Sequence, residues 1–128
     1  MDVVLRFIIK DSLDTWLAEA ERVLELFKQQ AGFQSAKACL ALDNDSLGLV
    51  LLQFDSVGNY RRALSAYEIK IAATDFLSRA LDEPSAYEVL LALSVADTSH
   101  FISEKSPDAE TIALGEAASA RAQSRNEL

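Results

Sequence analysis

Residues able to carry chemistry are few in this chain. Among 128 residues there is one histidine, His100, one cysteine, Cys39, and one tryptophan, Trp16. A single imidazole and a single thiol cannot supply the nitrogen and sulfur ligands of the usual transition-metal sites. A Ser-His-Asp or Cys-His arrangement would have to recruit His100 from the polar C-terminal part of the chain. No G-x-G-x-x-G or P-loop spacing is present, so a nucleotide cofactor has no motif to hold it. The groups that remain are Tyr60, Tyr67, Tyr87, Arg6, Arg61 and Gln53. A tyrosine hydroxyl can hydrogen-bond a substrate oxygen, and an arginine can favour an anion. Neither makes a motif by itself.

Composition narrows the partners. The net charge of −8 argues against nucleic acid and against an anionic membrane surface, both of which need a basic footprint. No run of about 18 apolar residues is present, so no membrane span is expected. The opening MDVVLRFIIKDSLD lacks the basic region and small-residue cleavage site of a secretion signal. The lone Cys39 excludes an intrachain disulfide and fits a reducing compartment, so a cytoplasmic location is expected. Half of the residues are apolar, enough for one core without staples.

The elements that must position these groups are legible from periodicity. Leu47 to Phe54 alternates, with Leu47, Leu49 and Leu51 on one face and Val50, Leu52 and Phe54 on the other. Both faces are apolar, so both need cover. Val3 to Ile9 alternates likewise, with Arg6 the single charge on its Val4-Ile8 face, either an edge-exposed arginine or a charge held in a polar pocket. Asp11 or Ser12 caps a helix in which Leu13, Trp16, Leu17, Ala20, Val23, Leu24 and Phe27 form one apolar stripe. Trp16 lies in that stripe and is read as core. Gly32 is expected just past the helix end, at the C′ position. Phe33 to Leu42 is a strand with Ala36, Ala38, Leu40 and Leu42 on one face and Phe33, Ser35, Lys37, Cys39 and Ala41 on the other. The tetrapeptide Asp43-Asn44-Asp45-Ser46 reads as the turn of an antiparallel hairpin.

Behind the cap types Asp55 and Ser56, Tyr60, Leu64, Tyr67 and Ile71 share one helical sector. Phe76, Leu77, Ala80 and Leu81 share another, so one straight helix cannot bury both. A break between Ser65 and Asp75 is expected. Tyr60 and Tyr67 are thus read as core with the hydroxyl reaching the surface, and Arg61 and Arg62 as solvated helix surface. Asp82-Glu83-Pro84 ends the helical region, and Ser85 to Leu93 alternates as a fourth strand. The expected organisation is a domain over 1–93 and a tail over 94–128. Ser106-Pro107-Asp108 signals a helix in that tail, over about 107–123.

The order β-α-β-β-α-β is that of the ferredoxin-like arrangement, an α+β fold with an antiparallel four-stranded sheet. Both helical regions then cover one sheet face. The other face, apolar on the third strand and nearly so on the first and fourth, is expected to pack on a second copy in a homodimer.

The stretch LGLVLLQFDSVGNYRRALSAYEIKIAATDFLSRALDEPSAYEVL resembles the second half of the antibiotic-biosynthesis-monooxygenase-like domains, particularly the small actinobacterial ones. The carrying features are the strand end Gln53-Phe54-Asp55, the helix with Tyr60-Arg61-Arg62, the break at Ser65-Ala66-Tyr67, and Asp82-Glu83-Pro84. The resemblance covers roughly residues 2–93. It implies a dimeric α+β barrel with a small-molecule pocket between sheet and helices in each subunit. Haem-degrading relatives of this kind use an Asn on a strand, a Trp and an axial His. Here the place of the His reads Ala66-Tyr67-Glu68 and no strand asparagine is expected, so haem chemistry is not expected. The activity the resemblance leaves is cofactor-free oxygenation, an oxidoreductase reaction on a phenolic or quinol-type substrate. Its pocket candidates are Tyr60, Tyr67, Arg6, Gln53 and Tyr87, with no cofactor and no metal. The other reading is a non-catalytic homodimeric domain for assembly or ligand sensing. A roomy pocket bearing Tyr67 and an arginine would favour the enzyme, and a space filled by Leu, Phe and Trp the inert domain.

Overall fold

The computed structural model describes residues 1–105. The helix expected over about 107–123 lies outside the described residues. The chain divides into two compact units, Met1–Leu81 and a second beginning at Asp82.

The first unit contains β1 (Asp2–Ile8), α1 (Leu13–Lys28), β2 (Phe33–Ala41), β3 (Asn44–Phe54), α2 (Val57–Ser65), α3 (Tyr67–Ala72) and α4 (Thr74–Ser78). The second contains β4 (Ala86–Tyr87), β5 (Leu91–Leu93) and β6 (Thr98–His100). The four-stranded sheet has the order β2-β3-β1-β4, the ferredoxin-like arrangement. Within it β1 and β2 both run antiparallel to β3, with Arg6 opposite Leu49 and Lys37 opposite Leu51.

Alternation along the strands decides what is buried. Val3 and Phe7 of β1 and Val50, Leu52 and Phe54 of β3 are each at most 2% exposed and face the helices. Trp16, Ala20, Val23 and Phe27 of α1 pack onto them, with Ala63, Ile69, Ala73 and Phe76 from the second helical region. The rings form two groups: Phe7 lies 4.7 Å from Phe76 and 5.7 Å from Trp16 in one, and Phe54 lies 6.3 Å from Phe27 in the other. The opposite sheet face presents Val4, Arg6 and Ile8 beside Leu47, Leu49, Leu51 and Gln53. All are half-buried except Ile8, which is exposed.

Helix ends follow side-chain chemistry. The Ser12 hydroxyl caps α1 by accepting from the Thr15 amide at 3.1 Å, and Ser56 caps α2 through the Asn59 amide at 3.1 Å. The expected break occurs, and twice: Ala66 is extended (φ −64°, ψ 140°) between α2 and α3, and Ala73 separates α3 from α4.

Five local expectations need correction. Gly32 is not at C′, because α1 ends at Lys28 with Gln29 as its C-cap. Its φ of +86° instead turns the chain into β2, where an added Cβ would lie 2.6 Å from Asn59 Nδ2. A register shift between Phe33 and Ser35 moves Phe33 to the helix-facing side, 5.9 Å from the Phe54 ring. The β2–β3 turn is the dipeptide Leu42-Asp43, so Leu42 is fully exposed and β3 begins at Asn44, a strand asparagine at the hairpin end. The extended residue Ala66 resets the helical phase: Ile69 is buried, while Tyr67 and Ile71, expected on the buried sector, are exposed, as is Leu64 at the end of α2. The segment Ser85 to Leu93 is not one strand. Only Ala86–Tyr87 belongs to the large sheet, and Leu91–Leu93 pairs with Thr98–His100 in a separate hairpin. The turn Ser94-Asp97 makes that hairpin, with the Ser94 amide on the Asp97 carbonyl at 2.7 Å and the Asp97 amide on Ser94 Oγ at 3.1 Å.

Candidate functional site

Each sequence-derived candidate has a definite place. Tyr60, on α2, lies against Phe54 with ring centroids 5.5 Å apart. Burial pushes its hydroxyl up to about 12, so it stays protonated at neutral pH and can only act as a hydrogen-bonding phenol. Gln53 lies on the opposite sheet face. It accepts from Ser35 Oγ at 2.7 Å and donates to Asp2 Oδ1 at 3.3 Å, a polar row across three strands. Arg6 is half-buried on that same face, opposite Leu49, in an inner strand rather than at an edge. Tyr67 is 77% exposed on α3. Tyr87, in the second unit, is exposed and donates its hydroxyl proton to the Pro84 carbonyl at 3.0 Å. Tyr60 and Gln53 therefore point to different sides of the sheet, and the candidates are not gathered into one site.

A cleft opens elsewhere in the first unit, where β1 ends and the chain turns into α1. It measures about 390 Å³ and is lined by Phe7, Ile8, Ile9, Lys10, Asp11, Trp16, Glu19, Arg79 and Leu81. Its position follows from the local fold. Ser12 starts α1 immediately after β1, so Trp16 and Glu19 rise over the strand end on successive turns. On the other side the chain leaves α4 at Arg79, and the Leu81 amide returns to the Arg6 carbonyl at 2.8 Å.

The cleft is aromatic at its base and charged at its rim. Phe7 and Trp16 meet edge to face at 62°. The Arg79 guanidinium lies 5.5 Å above the Phe76 ring, donates to both carboxylate oxygens of Glu19, and stands 3.8 Å from Asp75. Its hydrogen bond to the Glu19 carboxylate holds that guanidinium even more firmly in its charged form. Trp16 Nε1, buried, has no hydrogen-bond partner among the described residues. Beneath the ring runs Gly48 of β3, where a Cβ would lie 2.8 Å from Trp16 Cη2 and Cζ2.

Arg79 and Glu19 escaped the sequence reading because 60 residues separate them. The local signal was only the Asp75-Arg79 spacing of four on a helical stretch. Trp16 was placed correctly in the core, and the same ring walls the cleft. Among the described residues no group of three or more His, Cys, Asp and Glu side chains could hold a metal ion, and no helix is long and apolar enough to cross a membrane.

No protein-family model matches the sequence, and no curated protein matches it. Solved structures do match the fold. SnoaB, a cofactor-independent oxygenase from Streptomyces nogalater, is 17% identical, with a TM-score of 0.56 over 82% of this chain and 93% of its own. A conserved protein from Methanosarcina mazei Go1 is 16% identical, with a TM-score of 0.54 over 66% of this chain and 84% of its own. A structure described as an antibiotic biosynthesis monooxygenase is 9% identical, with a TM-score of 0.53 over 69% of this chain and 97% of its own. The chain thus has the fold of the antibiotic-biosynthesis-monooxygenase-like proteins. At these identities the likeness is one of fold.

Proposed function

We propose that this chain is a homodimeric small-molecule-binding domain that acts as a cofactor-free monooxygenase on a phenolic or quinol-type compound. The observation that carries the reading is the cleft at the end of β1, with aromatic walls for a flat ring and an arginine at its rim. The fold is shared with a cofactor-independent oxygenase, which supports the reaction class by analogy. In that reaction a phenol and O2 give a quinone and water. The phenolate gives up an electron to O2, one oxygen atom ends on the ring, and the other leaves as water. The protein orients the ring and takes the phenolic proton. Asp11 and Glu19 are the carboxylates at hand, and Lys10 and Arg79 favour the phenolate. The half-buried aliphatic face of Val4, Leu47, Leu49 and Leu51 supports pairing with a second copy.

A second reading, a non-catalytic homodimeric domain for assembly or ligand sensing, is favoured by the filled space between sheet and helices. Phe7, Trp16, Phe27, Phe54 and Phe76 occupy it. Oxygen uptake over a panel of hydroquinones and naphthols separates the two. Uptake that saturates with substrate and falls in Arg79→Gln supports the enzyme. Saturable binding of those compounds without uptake supports the sensing domain.

A further inference from the structure

We propose that the β5–β6 hairpin is an arm by which one copy of this chain holds a second, its Leu91-Leu93 face lying on the β2 side of the partner copy's open sheet face. The inference rests on the pairing proposed above and adds the segment that makes it.

A lone two-stranded ribbon is marginal in water unless something covers it. This one is fully built. Leu91 stands opposite His100 and Leu93 opposite Thr98, the Phe101 amide reaches the Leu90 carbonyl at 3.0 Å, and the Glu104 amide reaches Glu88 Oε2 at 3.0 Å. Yet no residue from Asp82 to Lys105 is buried. Residues opposite one another share a face, so Leu91, Leu93, Thr98 and His100 lie together, and Ile102 continues that side. Leu91, Leu93 and Ile102 are 52%, 68% and 92% exposed. An apolar face of this kind on a ribbon without a core marks an interaction surface.

The chain itself carries the matching surface. On the open sheet face, Lys37 and Cys39 of the edge strand β2 are exposed beside the half-buried Leu49 and Leu51 of β3. Lys37 is the only charged residue of β2, and Arg6 flanks Leu49 on the other side, so the charges beside these leucines are positive. The arm has the opposite sign. From Ala80 to Glu104 the chain has the carboxylates Asp82, Glu83, Glu88, Asp97 and Glu104, and no lysine or arginine. Two copies that each carry a net charge of −8 can approach only where opposite local charges meet. Area also favours a second copy. A two-fold pair makes the arm contact twice, where a different partner would make it once. Weighted by exposure, the doubled contact removes about 400–700 Å² of apolar surface, and the aliphatic sheet face supplies the rest of the roughly 1,000 Å² a stable interface needs.

The test uses the full chain and Cys39, its only cysteine, as the reporter. A variant carrying both Cys39→Ser and Leu93→Cys is mixed with natural protein bearing a mass tag, left to exchange subunits, and oxidised. The expected product is a covalent heterodimer, joining the introduced thiol to Cys39 of the other copy, several-fold more abundant than either covalent homodimer. In parallel, Leu91→Asn with Leu93→Asn is expected to raise the dimer Kd by at least about tenfold in sedimentation with an unchanged far-ultraviolet spectrum. A heterodimer no more abundant than the homodimers, or an unchanged Kd, would overturn the arm while leaving a dimer through the sheet face intact. Oxidation of Leu93→Cys within a single chain that keeps Cys39 would place the hairpin on its own sheet face and overturn the arm as well. A natural protein that is monomeric at micromolar concentration would remove the pairing itself, and leave the hairpin to a different partner. Ligand binding and oxygen uptake play no part in these outcomes, so loss of the oxygenase reading does not touch them.

Discussion

Gly48→Ala probes how tightly Trp16 is clamped between β3 and the cleft. A methyl at position 48 would lie 2.8 Å from Trp16 Cη2 and Cζ2 and 3.0 Å from Ile9 Cδ1. Carbon atoms in contact normally sit about 3.5–4.0 Å apart, so the ring must move by roughly 0.7–1.2 Å. Phe7 and Phe76 block two directions, and the open cleft is the free side. Overpacking of this kind costs about 1–3 kcal/mol. Restricting the unfolded chain by replacing glycine returns about 0.4–1 kcal/mol. The net expectation is a loss of about 1–2 kcal/mol, which for a domain of this size lowers Tm by about 5–10 °C. The emission of the sole tryptophan shifts to the red as the indole is pressed toward solvent. Thermal melts followed by circular dichroism and by fluorescence check both effects. Gly58→Ala is the internal control. Its Cβ would meet only the Arg62 guanidinium, at 3.8 Å or more, and replacing this helical glycine is expected to stabilise by about 0.5 kcal/mol. A Gly48→Ala protein with unchanged Tm and unchanged emission would refute the clamp.

Tyr60→Phe tests the buried phenol. The folded value near 12 exceeds the ordinary 10.0, so the unfolded state ionises first. The stabilisation from keeping this group neutral is complete below pH 10, and is lost as pH rises through 10 toward 12. It amounts to about 2–3 kcal/mol at most. Urea unfolding at pH 8, 10 and 11.5 should show that loss in the natural protein and a flatter profile in Tyr60→Phe; identical profiles would count against the assignment. Leu49→Asp places a charge between Arg6 and Cys39, its partners across the strands on the sheet face proposed to pair. Light scattering should then give a monomer with an unchanged far-ultraviolet spectrum, and a natural protein that is itself monomeric at micromolar concentration would remove the proposed dimer. Ser12→Ala deletes the cap to the Thr15 amide and should cost about 1 kcal/mol in denaturant unfolding, whereas Ser12→Asp should retain most of the stability.

The sequence by itself determined what local periodicity and local caps can encode. The two-faced alternation of β3, the apolar stripe of α1, the capping pairs Asp11-Ser12 and Asp55-Ser56, and the need for a break after Ser65 all follow from neighbours within a few residues. The burial of Trp16 and Tyr60 followed as well, since each lies on the apolar side of its own helix. Tertiary structure decided what depends on phase and on distant pairing. One extra residue near Gln34 turns Phe33 from the open face to the core, and one extended residue at Ala66 trades Tyr67 for Ile69. Neither changes the composition of its segment, so neither leaves a mark in the hydrophobic pattern. The hairpin of β5 and β6 and a single longer strand share the same alternation up to Leu93, and only the Ser94-Asp97 turn bonds separate them. The cleft lies furthest from sequence. It exists because β1 ends under α1 while the chain leaving α4 returns to Arg6, bringing Arg79 to Glu19 across 60 residues. Such a meeting depends on how the whole unit closes, and no local spacing records it.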